Sequence, residues 1–126
     1  MTHDDVQDWL DRYIAAWRSN ERAQIEELFT EDAVYGYRPW DDDEHTVRGR
    51  DAIVASWLEE PDAPDSWDAH YEPYAVDGDR AVAVGWSRYA PEGSDPEKTY
   101  RNAYLLRFAP DGRCAKFHEF YMLEGK

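Results

Sequence analysis

The chain has 126 residues, enough for one core of ordinary size, and we expect a single domain over residues 1–126. Its 14 Lys and Arg residues are outnumbered by 28 Asp and Glu residues, and the net charge of −14 disfavours binding to nucleic acid or to an anionic membrane surface. Six Trp and nine Tyr residues predict a core that is aromatic rather than aliphatic.

Three helices are predicted in the first half of the chain. Thr2 and Asp5 have the spacing of a capping box, which opens a helix. Apolar residues then recur along one helical face, at Val6, Leu10, Tyr13, Ile14 and Trp17. Asn20 is expected to cap a second, shorter helix. Residues 49–51 lead into a third helix, whose apolar positions include Trp57.

The other predicted elements are strands. A strand over residues 33–38 and a polar loop over residues 39–46 come before the third helix. Four more strands follow it, over residues 67–76, 80–89, 99–108 and 113–123. A turn at Asp77-Gly78 joins the first two of these four, and Pro73 places the first at a sheet edge or in a bulge. Helices followed by a run of strands indicate an α+β fold, with an antiparallel meander against the helices.

The last predicted strand carries apolar side chains on both of its faces. Phe117, Glu119 and Tyr121 alternate with His118, Phe120 and Met122. A sheet that is covered by helices on one face normally presents polar residues to water on the other. We therefore expect a homodimer that forms through the second face of the sheet.

Several local strings, taken in order, carry a resemblance to a known superfamily. They are Tyr13-Ile14, LFTEDAVY at 28–35, RGRDAI at 48–53, RFAPDGR at 107–113 and EFY at 119–121. In this order they resemble the nuclear transport factor 2-like superfamily, also called SnoaL-like. The resemblance implies a cone-shaped, cystatin-like roll, in which a curved antiparallel sheet wraps over three N-terminal helices around a pocket. Members include ketosteroid isomerases, polyketide cyclases, dehydratases, epoxide hydrolases and non-catalytic proteins, so the fold alone does not give the function.

The resemblance also allows the catalytic positions of the family to be compared with this sequence. Tyr13 matches the helical tyrosine that donates a hydrogen bond to the oxyanion in the isomerases. Their catalytic base falls at Tyr37 and their acidic donor at Tyr104, while the final-strand aspartate of the cyclases falls at Met122. A phenol with a pKa of ~10 stays protonated at neutral pH. The family's own isomerase and cyclase mechanisms are therefore disfavoured.

Strand alternation and the resemblance together predict the residues that line the interior. The candidate catalytic residues are Glu119, as the proton carrier, and Tyr13 and Tyr104, as hydrogen-bond donors. The candidate ligand-binding residues are Trp17, Tyr35, Tyr37, Trp40, Trp57, Trp86, Arg88, Asn102, Phe117 and Tyr121. Burial among aromatic rings would raise the pKa of Glu119 toward neutrality, as a general acid or base requires.

Two alternatives stand beside this interpretation. A structural ion pair of Arg88 with Glu119 would keep the carboxylate ionised, and we weigh this pair above the catalytic role. The aromatic residues are also more typical of a core than of a binding site. If they fill the cone, the protein would be an interaction module without a ligand.

No cofactor is expected, because the four His residues lack the spacing of metal ligands and no phosphate-binding loop is present. The acidic N-terminus and the lack of an apolar run near ~20 residues predict a cytoplasmic protein. We expect it to bind a small hydrophobic or aromatic molecule. It would act as a cofactor-independent isomerase, dehydratase or cyclase on a hydrophobic carbonyl compound, or alternatively as a non-catalytic binding or interaction module.

Overall fold

A computed structural model describes residues 1–37 and 46–125 of the chain. The helices in these ranges are α1 (His3–Ser19), α2 (Arg22–Leu28) and α3 (Arg50–Glu59). The strands are β1 (Phe29–Gly36), β2 (Val47–Arg48), β3 (Trp67–Asp77), β4 (Arg80–Tyr89), β5 (Lys98–Phe108) and β6 (Cys114–Leu123). The predicted α+β fold is confirmed: the three helices pack against one curved sheet that does not close.

The capping box predicted at the start of α1 is present. The backbone N–H of Asp5 donates to Thr2 Oγ1 at 3.1 Å, and the backbone N–H of Thr2 donates to Asp5 Oδ2 at 2.8 Å. Asn20 does not cap α2 as expected but ends α1, with φ of 56° and its N–H donating to the Ala16 carbonyl. Asn is one of the few non-glycine residues that adopts this left-handed conformation readily, and it therefore suits a helix C-terminus.

The six strands are ordered β2-β1-β6-β5-β4-β3, and the meander predicted for the last four is present. β1 pairs parallel to β6 and antiparallel to the two-residue β2, which the sequence did not predict. β1 also starts earlier than expected, because the buried Phe29 and Ala33 both anchor it to the core. Pro73 lies in the edge strand β3 and beside a bulge, as its chemistry predicts.

The core between the helices and the sheet is aromatic, as the composition predicts. Its largest side chains with under 2% exposure are those of Trp9, Tyr71, Tyr104, Phe29 and Phe117. Trp9 reaches the centre from α1 and donates its indole N–H to the Leu28 carbonyl at 3.0 Å. The polar atom of this large ring is therefore satisfied where it is buried.

The outer face of the sheet retains the apolar side chains that led to the dimer prediction. Leu105 is 39% exposed and Met122 is 64% exposed, and both lie on this face. The homodimer stays a prediction. Within residues 1–37 and 46–125, no helix combines the length and the apolar character that crossing a membrane requires.

Candidate functional site

A cavity of about 250 Å³ lies between the helices and the concave face of the sheet. Its walls are aromatic and rich in hydroxyl groups. Among the described residues, the aromatic lining consists of Tyr13, Trp17, Tyr35, Tyr37, Trp57, Tyr71, Tyr89 and Tyr104. The interior of the cone is thus lined with aromatic rings without being filled by them.

Glu119 is the acidic group that the sheet presents to this cavity. It lies on β6 directly opposite Tyr104 on β5, so both side chains are on the concave face. Burial raises the pKa of the Glu119 carboxyl from 4.5 to about 7, because removal from water disfavours the charged form. A hydrogen bond from Asn102 acts in the opposite direction. The carboxyl is therefore poised to gain and lose a proton near neutral pH.

Asn102 holds Glu119 through a short chain of hydrogen bonds. Its Nδ2 donates to Glu119 Oε2, and its Oδ1 accepts from Ser87 Oγ at 3.2 Å. The hydroxyl of Ser87 thus fixes which end of the amide faces the carboxylate. Because the bond engages one carboxylate oxygen, the other oxygen can exchange a proton with a ligand.

The phenols in the cavity are hydrogen-bond donors at neutral pH. Tyr13 and Tyr35 place their hydroxyl oxygens 3.2 Å apart, and the rings of Tyr71 and Tyr104 lie 4.8 Å apart. Burial raises the pKa of Tyr13, Tyr35 and Tyr104 well above 10, and it raises that of Tyr71 to about 12. Protonated phenols beside a carboxyl can stabilise an oxyanion that forms on a ligand.

Most of the residues predicted to line the interior do meet in this region. Tyr13, Trp17, Tyr35, Tyr37, Trp57, Tyr104 and Glu119 line the cavity itself. Asn102 and Tyr121 line an adjoining, more open cavity of about 390 Å³. The two cavities share Tyr37, Ser87, Tyr89 and Glu119, so they meet at the carboxyl group. Trp40 lies outside the described residues.

The prediction that Trp86 and Arg88 line the interior of the cone is wrong. Gly85 of β4 lies opposite Asn102, and Ser87 is buried, so the residues that alternate with them face outward. The Arg88 guanidinium lies over the Trp86 ring and 3.5 Å from Glu97 Oε1. The ion pair between Arg88 and Glu119, weighed above the catalytic role, is therefore wrong as well.

Phe117 is also not a lining residue. It is fully buried beneath the cavity, where its ring stacks on Tyr35 at 4.4 Å and on Tyr13 at 5.3 Å. Its position on β6 faces the interior as predicted, but two positions before Glu119 the interior is solid core. Phe117 therefore supports the tyrosines rather than a ligand.

Sequence reasoning missed ten of the described lining residues, and those with reactive or aromatic side chains near the carboxyl groups include Asp62, Tyr71, Ser87 and Tyr89. The pattern of small residues on β4 could have indicated two of these, Tyr71 and Ser87. Ala81, Ala83, Gly85 and Ser87 alternate on one face of that strand, which leaves room for large side chains from its neighbours. Tyr71 occupies the room over Gly85, where an added Cβ would come within 2.6 Å of Tyr71 Cδ1.

The described residues do not bring three His, Cys, Asp or Glu side chains together as a metal site would require. The acidic run at 41–45 lies outside these residues. The expectation that the protein needs no cofactor stays a prediction.

Comparison with known families identifies the fold. The family model of the SnoaL-like domain matches residues 10–117. The chain belongs to the SnoaL-like family. The cone architecture and the strings that suggested the resemblance are therefore confirmed at the level of the family. Among proteins with curated descriptions, none matches the sequence.

Solved structures share the fold at low sequence identity. A proposed isomerase from Bacillus subtilis has a TM-score of 0.71 at 15% identity, over 97% of this chain and 90% of that one. An NTF-2 like protein of unknown function from Burkholderia xenovorans LB400 has a TM-score of 0.67 at 12% identity, over 94% and 83%. An LEH-like epoxide hydrolase from M. tuberculosis has a TM-score of 0.67 at 10% identity, over 95% and 84%.

Proposed function

We propose that the protein is a cofactor-independent acid/base enzyme that isomerises, dehydrates or cyclises a small hydrophobic carbonyl compound. The observation that carries this proposal is the environment of Glu119. The carboxyl group faces a cavity of about 250 Å³, its pKa is about 7, and within residues 1–37 and 46–125 it forms no ion pair. A carboxyl in that state takes up and returns protons at neutral pH.

The reaction begins with proton transfer from carbon to Glu119. The ionised carboxylate accepts a proton from the carbon next to the carbonyl group, and the electron pair of that C–H bond moves into the carbonyl to form an enolate. Tyr13 and Tyr104 donate hydrogen bonds to the enolate oxygen and stay protonated, because their pKa values lie well above 10.

The second half of the reaction returns the same proton. If protonated Glu119 delivers it to a different carbon, the product is an isomer. If it delivers the proton to a departing hydroxyl group, water leaves and the product is dehydrated. If the enolate carbon attacks a second carbonyl group of the same molecule, a ring closes, and the alkoxide that forms takes the proton from Glu119. All three outcomes share the first proton transfer, so one assay can test them together.

The structural neighbours are compatible with this chemistry. The Bacillus subtilis protein is a proposed isomerase and the M. tuberculosis protein is an LEH-like epoxide hydrolase. Cones of this architecture thus accommodate reactions at small organic molecules. The identities of 15% and 10% transfer no residue roles, and the proposal therefore rests on Glu119 and the phenols around it.

A non-catalytic ligand-binding module is the second candidate. The preformed walls favour it, because the lining residue Tyr35 is fixed by its stacking on the buried Phe117, at an interplanar angle of 3°, and would meet a flat ligand without rearrangement. Such a module would bind its ligand unchanged. An interaction module with a filled cone fits less well, because the cavity is open.

The test is hydrogen exchange at the carbon next to a carbonyl group. 2-Tetralone, a flat bicyclic ketone, is incubated with the protein in D2O, and loss of the α-proton signal is followed by proton NMR. We expect wild-type protein to accelerate exchange above the buffer rate, with a rate that falls as pH drops below about 7 because Glu119 becomes protonated.

The matched control separates the carboxylate in the cavity from one on the surface. Glu119→Gln should lose the acceleration, while Glu97→Gln, which changes an exposed carboxylate near Arg88, should retain it. Acceleration that survives in Glu119→Gln would refute the catalytic role. Binding of the ketone without exchange would favour the second candidate.

A further inference from the structure

The described residues that line the inner cavity carry charge of one sign. Its described lining includes the carboxylates Glu60, Asp62 and Glu119, and no Lys, Arg or His side chain from the described residues joins them. The adjoining cavity contributes Lys98, together with Glu92 and Asp95. Among the described lining residues, acidic groups thus outnumber basic ones in both cavities. The overall charge of −14 adds to the same potential.

Asp62 is held in place on the helical side of the cavity. It lies in the segment that follows α3, and its Oδ2 accepts a hydrogen bond from Trp17 Nε1 at 3.0 Å. Asn20 adds a second tie, since its Nδ2 donates to the Asp62 backbone carbonyl at 3.2 Å. A carboxylate fixed in this way against an indole ring is half-buried and faces the cavity.

Two aromatic rings lie near this carboxylate. The rings of Trp17 and Tyr89 lie 6.2 Å apart, and the charge of Asp62 contributes to the raised pKa of Tyr89. Aromatic faces attract cations through their quadrupoles, and the attraction grows when water is excluded. A carboxylate beside two such rings is the arrangement that recognises an organic ammonium ion.

We propose that the substrate carries a cationic amine, whose ammonium group binds between Asp62, Trp17 and Tyr89 while the carbon next to its carbonyl group faces Glu119. This inference rests on the proposed function, since it takes the cavity around Glu119 as the substrate site. It extends that function by assigning the substrate class, an aromatic or hydrophobic amino carbonyl compound.

The same charges act against anionic ligands. The phenols could donate hydrogen bonds to a ligand carboxylate, but that ligand would bring a further negative charge beside Glu60, Asp62 and Glu119. Like charges in a site partly removed from water repel more strongly than they do in bulk solvent. Carboxylate and phosphate substrates are therefore disfavoured.

The experiment compares three probes of similar shape by isothermal titration calorimetry at pH 8. They are 2-phenylethylammonium, the neutral 2-phenylethanol and the anionic 3-phenylpropanoate. We expect the ammonium probe to bind about tenfold more tightly than the alcohol, and the carboxylate to bind most weakly. Equal affinities, a preference for the carboxylate, or no binding of the ammonium at millimolar concentration would overturn the proposal.

Variants then locate the ammonium. Asp62→Asn keeps an oxygen acceptor for Trp17 but removes the charge, and it should weaken ammonium binding about fivefold while leaving the alcohol unaffected. Glu60→Gln should act in the same direction, which keeps the test valid if Asp62→Asn folds poorly. Asp65→Asn, in the same segment but not lining the cavity, should bind as wild type does.

Glu119→Gln distinguishes failure of this inference from failure of the proposed function. The preference for ammonium should survive in that variant while α-proton exchange is lost. A preference that disappears in Glu119→Gln but persists in Asp62→Asn would place the cation at Glu119 and overturn the assignment to Asp62. Exchange in wild type without any preference for ammonium would overturn the substrate class alone.

Discussion

Replacing Glu119 with Gln should stabilise the protein, and the gain should grow with pH. The pKa of this carboxyl rises from 4.5 to about 7 on folding. Between these two values the folded state binds more protons than the unfolded state, so wild-type stability falls as pH rises through that window. Gln cannot ionise and still offers Asn102 an oxygen acceptor, so the variant escapes this loss.

The size of this stabilisation follows from the pKa shift of Glu119. Each pKa unit corresponds to about 1.4 kcal/mol, so the ionised carboxylate costs about 3 kcal/mol at the alkaline limit. Part of that cost already applies at pH 5, and the side chain remains in partial contact with water. We therefore expect the unfolding free energy of Glu119→Gln minus that of wild type to increase by about 2 kcal/mol between pH 5 and pH 8.5.

The assay is urea denaturation followed by tryptophan fluorescence at several pH values. Taking the difference between variant and wild type at each pH cancels the contributions of the other carboxylates. Glu97→Gln serves as the control, because its exposed carboxylate should give a difference that varies little with pH. A difference for Glu119→Gln that does not change with pH, or that shrinks as pH rises, would refute the account of its environment.

Three further predictions concern the support of the site and the outer face. Asn102→Leu removes the hydrogen bond that favours the ionised form of Glu119, so the apparent pKa of Glu119 in the exchange assay should rise. An unchanged pH profile would contradict this prediction. Gly85→Ala forces a Cβ against the His70 carbonyl oxygen and the Tyr71 ring, and it should lower the unfolding free energy by about 3 kcal/mol in urea denaturation. Wild-type stability would refute the tight approach. Leu105→Glu places a charge on the exposed apolar face, and light scattering should show a dimeric wild type and a monomeric variant. A monomeric wild type would contradict the predicted dimer.

Sequence reasoning succeeded where a local rule determines the structure. The capping box at Thr2 and the turn at Asp77-Gly78 each depend on a few adjacent residues, and the helix and the hairpin that they predict are present. Pro73 is confined to an edge strand or a bulge, because proline has no backbone N–H to donate to a neighbouring strand. Helix α1 and the hairpin of β3 with β4 follow from signals of this kind.

Face assignment in β4 failed because size, not polarity, decides which side of that strand faces the cavity. Trp86 looks like an interior residue and Ser87 like an exterior one. The concave face, however, must accommodate Tyr71 and Tyr104 from both neighbouring strands, so small residues are required on it. That requirement is set by residues distant in the sequence, and a shift of one position reverses every side chain.

The partner of Glu119 could not be predicted for the same reason. Once Arg88 faces outward, the concave face offers the carboxyl an amide, Asn102, in place of a cation. Burial moves the pKa of Glu119 upward, and no positive charge on the described concave face offsets the loss of water. A shift of one residue along β4 therefore decides whether Glu119 forms a structural ion pair with Arg88 or exchanges a proton near neutral pH.

The most direct test of the account is the titration of Glu119 itself. Glutamate labelled with ¹³C at the side-chain carboxyl is incorporated, and the resonance that is missing from Glu119→Gln is assigned to this residue. We predict that its chemical shift titrates with a midpoint near pH 7. A midpoint near the ordinary value of 4.5 would show a carboxylate that stays ionised at neutral pH, and it would contradict the acid/base role.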